Sequence, residues 1–209
     1  MYTFPHTMVV MGTHREVGKT LVSAVLTAGL KGSYWKPIQC GVSPCTDTEW
    51  VHEMTGLPHT HFLKESYKFG EALSPITQSV GIEIEHLIPS EVVKETKHLI
   101  IEGSEGIMEP LNEKQFYVDF LKQLGAPVLL VVKNCPGAIH EALMTLEKLD
   151  EKKIPLFGIV LNGQKDPLVR RSIKEYCKPP RIFELSNIAH ITENALKKAF
   201  TETFMEECA

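Results

Sequence analysis

The sequence predicts an α/β fold, in which a single-domain parallel β-sheet is covered by helices on both faces. Apolar runs rich in β-branched residues alternate along the chain with longer segments of helical periodicity. The apolar runs are continuous, which is typical of strands that are buried on both faces of a parallel sheet. The chain has 209 residues, 43% of them hydrophobic, so we place one domain over residues 1–209.

The first predicted strand and helix stand close to the N-terminus. A strand over residues 6–13 (HTMVVMGT) leads into a helix over residues 18–32, with Gly32 as the expected stop. Four apolar side chains recur at helical spacing on one face of this helix: Leu21, Val25, Leu26 and Leu30. A second, short strand over residues 33–38 (SYWKPI) follows the helix.

Between residues 41 and 93 the pattern is less regular and contains several prolines, so we expect short helices and loops over one end of the sheet. The alternation then resumes. The remaining predicted strands cover residues 97–104, 126–134, 154–163 and 181–185, and the remaining predicted helices cover residues 137–153, 166–177 and 192–208. Thr192 is the expected N-cap of the last helix.

Composition argues against several classes of function. The net charge of −4 argues against nucleic acid as the main partner. No apolar run is long enough to cross a bilayer, and the first residues lack the features of a secretory signal, so we expect a cytoplasmic protein without a membrane partner. The five cysteines form no C-x-x-C pair, which indicates reduced thiols, and the nine histidines show no spacing typical of zinc ligands.

Residues 12–20, GTHREVGKT, connect the first strand to the first helix and predict a phosphate-binding loop. The usual template is G-x-x-x-x-G-K-[ST]; the end of this loop fits it, whereas Gly12 lies one residue before the slot of the first glycine. Gly18 lets the backbone approach a phosphate, Lys19 brings a positive charge to its oxygens, and Thr20 brings a hydroxyl suited to Mg²⁺. The alternative is an ordinary turn with an exposed lysine, but a helix N-terminus at the carboxyl end of a strand favours phosphate.

Three polar residues stand at the ends of other predicted strands, where ligands bind in a parallel sheet. Lys36 ends the second strand, and Glu102 ends the third, at the position of a carboxylate that holds Mg²⁺ in nucleotide-binding proteins. Asn162 ends a later strand, and its amide can both donate to and accept from a purine edge. Each alone could be an ordinary surface residue; together they predict the remainder of a nucleotide site.

Further motifs extend over nearly the whole chain. They are the K-P pair in YWKPIQCG, the acidic Asp47 in CTDTEW, the Ser-Pro segment LSPITQS that opens a short helix, IEGSEGIMEPL, VLLVVKNCPGAIHEALM, Asn162 and the tail PPRIFELSNIAHITENAL. Together with a loop of the form G-T-x-x-x-V-G-K-T, they make the sequence similar to the dethiobiotin synthetase family. Those enzymes close the ureido ring of dethiobiotin, using ATP, in biotin biosynthesis.

The resemblance implies a P-loop NTPase type of fold and a homodimer that requires ATP and Mg²⁺. It implies a ligase that makes dethiobiotin from 7,8-diaminopelargonic acid and CO₂ and releases ADP and phosphate. One amine reacts with CO₂ to give a carbamate, which takes the γ-phosphoryl group of ATP; the second amine then closes the ring. We expect Lys19 to be an exposed loop side chain, and Lys36 to face the carbamate on the side away from the metal.

The resemblance also implies a role for each site residue. The catalytic residues are Lys19 and Lys36. The ATP-binding residues are Gly12, Thr13, Arg15, Glu16, Val17, Gly18, Lys19, Thr20 and Asn162. The metal ligands are Thr20, Asp47 and Glu102. The substrate-binding residues are Lys36, Cys40, Gly137, Ala138, Ile139 and His140. The last four lie at a helix start that binds the distant carboxylate of the diamine and that a neighbouring subunit supplies.

The sequence departs from the family pattern at several positions: Arg15, Cys40, Ser104, Glu105, His140 and Ser186. Two alternatives to the synthetase stay open at this stage. One is a related P-loop amidoligase, which the Lys36-Pro37 pair and the short chain disfavour. The other is a partitioning or septum-positioning ATPase, which is disfavoured by His14 at the place of a signature lysine and by the acidic C-terminus.

Overall fold

The computed structural model describes residues 3–71, 81–87 and 97–205, and these carry a parallel sheet flanked by helices. The strands are β1 (Thr7–Gly12), β2 (Ser33–Trp35), β3 (Ile38–Cys40), β4 (Phe62–Leu63), β5 (Tyr67–Phe69), β6 (Leu99–Glu102), β7 (Val128–Lys133), β8 (Leu156–Asn162) and β9 (Ile182–Leu185). The helices are α1 (Lys19–Leu30), α2 (Asp47–Thr55), α3 (Tyr117–Leu124), α4 (Ala138–Glu151), α5 (Pro167–Ser172) and α6 (Glu193–Phe200). Short 3₁₀ turns occupy His59–His61 and Ile84–His86.

The main sheet has the order β4-β2-β6-β1-β7-β8-β9, and the neighbouring strands in it pair in parallel. Successive residues of β1 point to opposite faces: Val9 and Met11 join one apolar core, whereas Met8 and Val10 join the other. Residues of α3 and α4 complete the first core, and residues of α1 and α6 complete the second. The predicted parallel sheet with helices on both faces is therefore confirmed.

The order of the sheet positions the candidate site. Strand β1 lies in the centre, with β6 on one side and β7 on the other. Val10 of β1 is level with Glu102, the last residue of β6. The loop after β1 and the end of β6 therefore emerge side by side at the carboxyl edge of the sheet, where ligands bind in such folds.

The predicted strand over residues 33–38 is wrong as a single element. It divides into β2, in the main sheet, and β3, which pairs with β5 in a separate two-stranded parallel sheet. Pro37 separates them because it has no N–H group for a ladder hydrogen bond. Its carbonyl instead accepts from the backbone N–H groups of Ser66 and Tyr67.

Several helix boundaries and faces also differ from the expectation. Helix α1 ends at Leu30, and Lys31 rather than Gly32 takes the left-handed conformation after it, with φ of 50°. The helix is buried almost all round, from Val22 to Ala28, because it packs between the sheet and α6; Leu21 and Leu30, two of the predicted core-facing residues, are only half-buried.

The later helices follow the prediction more closely. The predicted helix over residues 166–177 comprises α5 and a wider π-type turn at Ile173–Cys177, and a similar turn at Thr201–Met205 continues α6. Thr192 caps α6 as predicted, because its hydroxyl accepts from the N–H of Ala195. The end of that predicted helix, over residues 206–208, lies outside the described residues.

Within the irregular segment, the ordered helix α2 begins at a capping box that was not recognised. The hydroxyl of Thr46 accepts from the N–H of Glu49, whose side chain accepts in return from the N–H of Thr46. The T-x-x-E spacing was a signal for this helix. The predicted Ser-Pro helix start, over residues 73–79, lies outside the described residues.

The packing of α1 on α6 depends on a glycine. A Cβ atom added at Gly29 would lie 2.0 Å from Cγ of Phe200 and 2.4 Å from both neighbouring ring carbons. Phe200 itself packs among the rings of Phe4 and Phe204, so it has little freedom to withdraw. The absence of a side chain at this position allows the two helices to approach each other.

We therefore expect Gly29→Ala to destabilise the protein. Overpacking a core costs about 1–3 kcal/mol, and an overlap this deep belongs to the upper part of that range, so it outweighs the gain of about 1 kcal/mol in helix propensity. Urea denaturation should show a lower midpoint. Gly70→Ala is the matched control, since among the described residues no atom beyond its chain neighbours lies within 4 Å of an added Cβ there. An unchanged or higher midpoint for Gly29→Ala would contradict this description of the helix contact.

Candidate active site

The loop over residues 12–20 folds tightly between β1 and α1. Glu16 and Gly18 both have positive φ, of 59° and 96°. A Cβ atom at Gly12 would lie 2.7 Å from Cγ2 of Val17 and 3.0 Å from Cδ of Lys19, so a side chain there would prevent the loop from folding back. The glycine that stands one residue early in the sequence is thus required by the packing of this loop.

Asn162 supports the same loop from the end of β8. Its Nδ2 donates to the carbonyl oxygen of Val17 at 2.8 Å. A Cβ atom at Gly18 would lie 2.1 Å from that Nδ2, so the close approach of Asn162, as well as the backbone conformation, requires glycine. The Asn162 amide, which the sequence assigned to a purine edge, thus donates one of its hydrogens to the loop.

The expectation that Lys19 is an exposed loop side chain is wrong. It is only 8% exposed, and its ammonium donates to the carbonyl oxygen of His14 at 3.3 Å. Burial and the nearby charge of Lys36 lower the pKa of Lys19. The surroundings therefore disfavour the charged ammonium of Lys19, and an anion in the cleft would stabilise it.

The carboxylate of Glu102 is the centre of the site. It is 1% exposed and accepts three hydrogen bonds, each of 2.8 Å, from Thr20, Tyr34 and Lys36. Burial and the charge of Glu102 raise the pKa of the Tyr34 hydroxyl well above its usual value. Tyr34 therefore stays protonated and acts as a donor that fixes the carboxylate.

Asp47 is the second carboxylate of this cluster. Its Oδ2 lies 2.9 Å from Nζ of Lys36, and its Oδ1 lies 3.3 Å from Oγ1 of Thr20. Asp47 is held in place at the start of α2, where its N–H donates to Oε1 of Gln39 at 3.1 Å. The sequence placed Lys36 on the side away from the metal ligands, but the structure places it against both Asp47 and Glu102.

The charges of this cluster support one another. Burial alone would lower the pKa of Lys36, but Glu102 and Asp47 outweigh it, and the net shift is upward. Burial alone would raise the pKa of Asp47, but Lys36 and the hydrogen bonds from Thr20 and Gln39 together outweigh it, and the net shift is downward. Both groups are therefore charged at neutral pH.

A cleft of about 320 Å³ opens above these groups. Its lining includes three cationic side chains and five carboxylates: Arg15, Lys19 and Lys36, with Glu16, Asp47, Glu102, Glu105 and Glu109. The excess of negative charge would repel a nucleotide triphosphate unless a cation joined it. Among the described residues, no three His, Cys, Asp or Glu side chains are grouped so that they could hold a metal ion by themselves.

Four departures from the family pattern line this cleft: Arg15, Cys40, Ser104 and Glu105. Nε of Arg15, in the loop, lies 3.1 Å from Oε1 of Glu105, which follows β6. Cys40 also lines the cleft, and burial together with the charge of Glu109 raises the pKa of its thiol to about 11. The thiol is therefore neutral at physiological pH and can act only as a weak hydrogen-bond partner.

The predicted site residues at the start of α4 do not line the cleft. Four of them line a second cavity, of about 670 Å³, at the start of α4: Gly137, Ala138, Ile139 and His140. The second cavity and the cleft have no lining residue in common. The two groups of predicted substrate residues therefore line two different pockets.

Sequence reasoning missed several residues that shape the site. Tyr34 could have been found, because it lies two residues before Lys36 and strand periodicity turns both to one side. The pairing of Glu105 with Arg15 and the contact of Glu141 with the loop gave no local signal, because both arise between distant segments.

No described helix is both long and apolar enough to cross a membrane.

The chain is similar in sequence to proteins of known function. A family model described as an AAA domain matches residues 6–195. An ATP-dependent dethiobiotin synthetase of Rhodopseudomonas palustris is 35% identical over 202 residues, with 94% of this chain and 93% of the relative covered. Another of the same description, from Paramagnetospirillum magneticum, is 36% identical over 171 residues, with 80% of this chain and 81% of the relative covered.

Solved structures resemble the chain in fold. A nucleotide-binding protein from Archaeoglobus fulgidus, in complex with ADP, has a TM-score of 0.54 at 14% identity, with 97% of this chain and 89% of that one covered. A ParA family ATPase from Chlorobium tepidum has a TM-score of 0.53 at 14% identity, with 93% and 88% covered. At these identities the likeness establishes the fold alone.

The buried cluster generates a prediction about stability. Glu102→Gln keeps the shape of the side chain but removes the charge that faces Lys36, so we expect the free energy of unfolding to fall by about 1–3 kcal/mol. Adding Lys36→Met should recover part of this loss, because the ammonium without its main partner is then removed. Glu147→Gln, an exposed change on α4, is the control. Urea denaturation measures all four proteins; a double variant less stable than Glu102→Gln would contradict the account.

Proposed function

The chain belongs to the family of ATP-dependent dethiobiotin synthetases and carries the AAA domain, and we propose that its cleft closes the ureido ring of dethiobiotin. The reaction joins 7,8-diaminopelargonic acid and CO₂ with the release of ADP and phosphate, in biotin biosynthesis. The observation that carries the proposal is the buried Lys36 in the same cleft as the phosphate loop. A nucleotide switch needs the loop, whereas transfer to a second anion also needs a cation beside the acceptor.

The reaction brings two anions together. One amine of the substrate combines with CO₂ to give a carbamate, and the γ-phosphoryl group of ATP passes to a carbamate oxygen, with ADP leaving. The second amine then attacks the carbonyl carbon and loses a proton. The bond between that carbon and the phosphate oxygen breaks, so the ring closes and inorganic phosphate leaves. The protein mainly has to hold carbamate and triphosphate close together against their repulsion.

We assign the triphosphate to the loop and its flanking residues. The proposed ATP-binding residues are Gly12, Thr13, Arg15, Glu16, Val17, Gly18, Lys19 and Thr20, with Asn162 at the adenine. Two features support this assignment. The loop leads directly into the N-terminus of α1, and Lys19 is buried with a lowered pKa, so an anionic ligand would relieve the cost of its charge.

We assign Mg²⁺ to Thr20, Asp47 and Glu102. Oγ1 of Thr20 lies 2.8 Å from an oxygen of Glu102 and 3.3 Å from an oxygen of Asp47, so three oxygen donors of the type that Mg²⁺ prefers converge. The excess of carboxylates in the cleft also suits a divalent cation. When bound, the ion supplies positive charge to the β- and γ-phosphates.

Lys36 is the proposed partner of the carbamate. Its ammonium is held at 2.8 Å from Glu102 and 2.9 Å from Asp47, so it stays charged and fixed in the cleft. A fixed charge costs no reorganisation when the phosphoryl group moves, and this is the property that electrostatic catalysis requires. A cation bound by the same carboxylates would share them with Lys36, which would leave the ammonium available for the acceptor.

We propose that the enzyme is a homodimer of cytoplasmic chains that act on small molecules. The start of α4 offers N–H groups to the distant carboxylate of the diamine, with Gly137, Ala138, Ile139 and His140 around it, whereas Cys40 lies beside the acceptor. Since this cavity shares no lining residue with the cleft, a second copy that brings its own α4 would complete the site. Exposed apolar side chains on and near α4 support such a contact: Leu143, Met144, Leu168 and Tyr176.

The direct test is the dependence of ADP release on both substrates. We expect ADP release, with dethiobiotin detected by mass spectrometry, when ATP, Mg²⁺, bicarbonate and 7,8-diaminopelargonic acid are all present. Omitting the diamine or bicarbonate should reduce the rate to background, and Lys19→Ala should abolish it because the phosphate loses its nearest cation. Release of ADP at the same rate without the diamine would instead indicate a plain ATPase and overturn the proposal.

Lys36 separates ring closure from nucleotide binding. We expect Lys36→Gln to lower kcat by orders of magnitude while ATP affinity falls about tenfold or less, as for an interaction made mainly in the transition state. Lys36→Arg should not restore the rate, because the buried place that holds a compact ammonium does not fit a larger, planar guanidinium. The exposed Lys64→Gln is the control. Turnover of Lys36→Gln near the wild-type rate would reduce Lys36 to a structural counter-ion.

A further inference from the structure

The phosphate loop is fixed at both ends by groups outside it. On the C-terminal side, Asn162 holds the carbonyl oxygen of Val17. On the N-terminal side, the carboxylate of Glu141, in the first turn of α4, holds the side chains of Thr13 and His14. Between these two anchors stands Glu16, a non-glycine residue with φ of 59°. Such a conformation persists only where the surrounding structure enforces it.

The contacts of Glu141 are short and specific. The hydroxyl of Thr13 donates to Oε2 of Glu141 at 3.0 Å, and Nδ1 of His14 lies 2.7 Å from the same oxygen. A carboxylate can only accept, so both loop side chains donate to it. Hydrogen bonds to a charged acceptor are the stronger kind in proteins.

Helix α4 provides a firm base for this contact. Four of its side chains are buried along the face that meets the sheet: Ala138, Ala142, Thr145 and Leu149. Glu141 therefore projects from an element that is anchored in the core. Its side chain is 31% exposed and that of His14 is 39% exposed, so the contact crosses the surface between helix and loop and contributes little to the core itself.

We propose that Glu141 is a positioning residue for nucleotide binding: it holds Thr13 and His14 against α4 and so keeps the loop in the conformation that receives phosphate. The inference rests on the proposed function only in that the loop binds ATP. The charge of Glu141 distinguishes this role from that of a bystander. A carboxylate next to a phosphate loop repels phosphate, so removal of a mere bystander charge would tighten ATP binding, whereas removal of the anchor would weaken it.

The test is the ATP affinity of Glu141→Gln, measured by calorimetry with Mg²⁺ and without the diamine. Loss of hydrogen bonds to a charged acceptor predicts that Kd rises about tenfold, with KM for ATP rising in parallel and kcat at saturating ATP changing less. Glu147→Gln removes the same charge from an exposed position of the same helix and should leave Kd unchanged. Unchanged or tighter ATP binding by Glu141→Gln would overturn the proposal.

A double-mutant cycle separates the anchor from a general effect on α4. His14→Ala and Glu141→Gln should each weaken ATP binding, and the double variant should be little worse than the weaker-binding single variant, because both remove the same contact. His14→Asn, which keeps a donor group near the position of Nδ1, should retain more affinity than His14→Ala. Additive effects, or no rescue by asparagine, would contradict a direct anchor. Because the cycle measures ATP binding alone, its result stands apart from whether the wild-type protein forms dethiobiotin.

Discussion

The ion pair between Glu102 and Lys36 is the contact on which the rest of the site depends. Two charges this deeply buried are costly unless every donor and acceptor is satisfied. Glu102 meets this demand by accepting from Thr20 of α1, Tyr34 of β2 and Lys36, and Lys36 also reaches Asp47 of α2. The cluster around this carboxylate therefore joins α1, β2 and α2 at the carboxyl edge of the sheet, and the same contacts fix the groups that we assign to phosphate, metal and acceptor.

The phosphate loop depends on a different constraint, which is steric. Gly12 and Gly18 leave no room for a side chain, because Val17 and Asn162 occupy the space on their sides of the loop. The first glycine of the loop is early in the sequence for this reason: it serves the return of the loop onto itself. The end of β8 and the first turn of α4 then hold the loop from outside, so its conformation belongs to the whole sheet edge rather than to the loop alone.

The division between the cleft and the cavity at α4 gives the proposed dimer a chemical reason. Diamine and triphosphate must meet at one place, yet the residues assigned to the distant carboxylate lie around a cavity with none of the lining residues of the cleft. A substrate with reactive amines at one end and a carboxylate at the other could bridge two such regions where copies of the chain adjoin. Arg15 and Glu105, both departures from the family pattern, pair beside the cleft.

The sequence by itself determined the features that depend on local periodicity and spacing: the buried parallel strands, the loop before α1, and the strand ends at Lys36, Glu102 and Asn162. Even so, it did not reveal that Pro37 sends β3 into a second sheet, nor that Lys19 is buried. Only the tertiary structure decided which strand ends are neighbours. Because β6 lies beside β2, Glu102 meets Lys36 across 66 positions of the chain, and because α4 lies beside the phosphate loop, Glu141 meets His14 across 127. Such pairings follow from strand order and helix placement, which the whole chain sets through the burial of both faces of the sheet, and no local pattern encodes them.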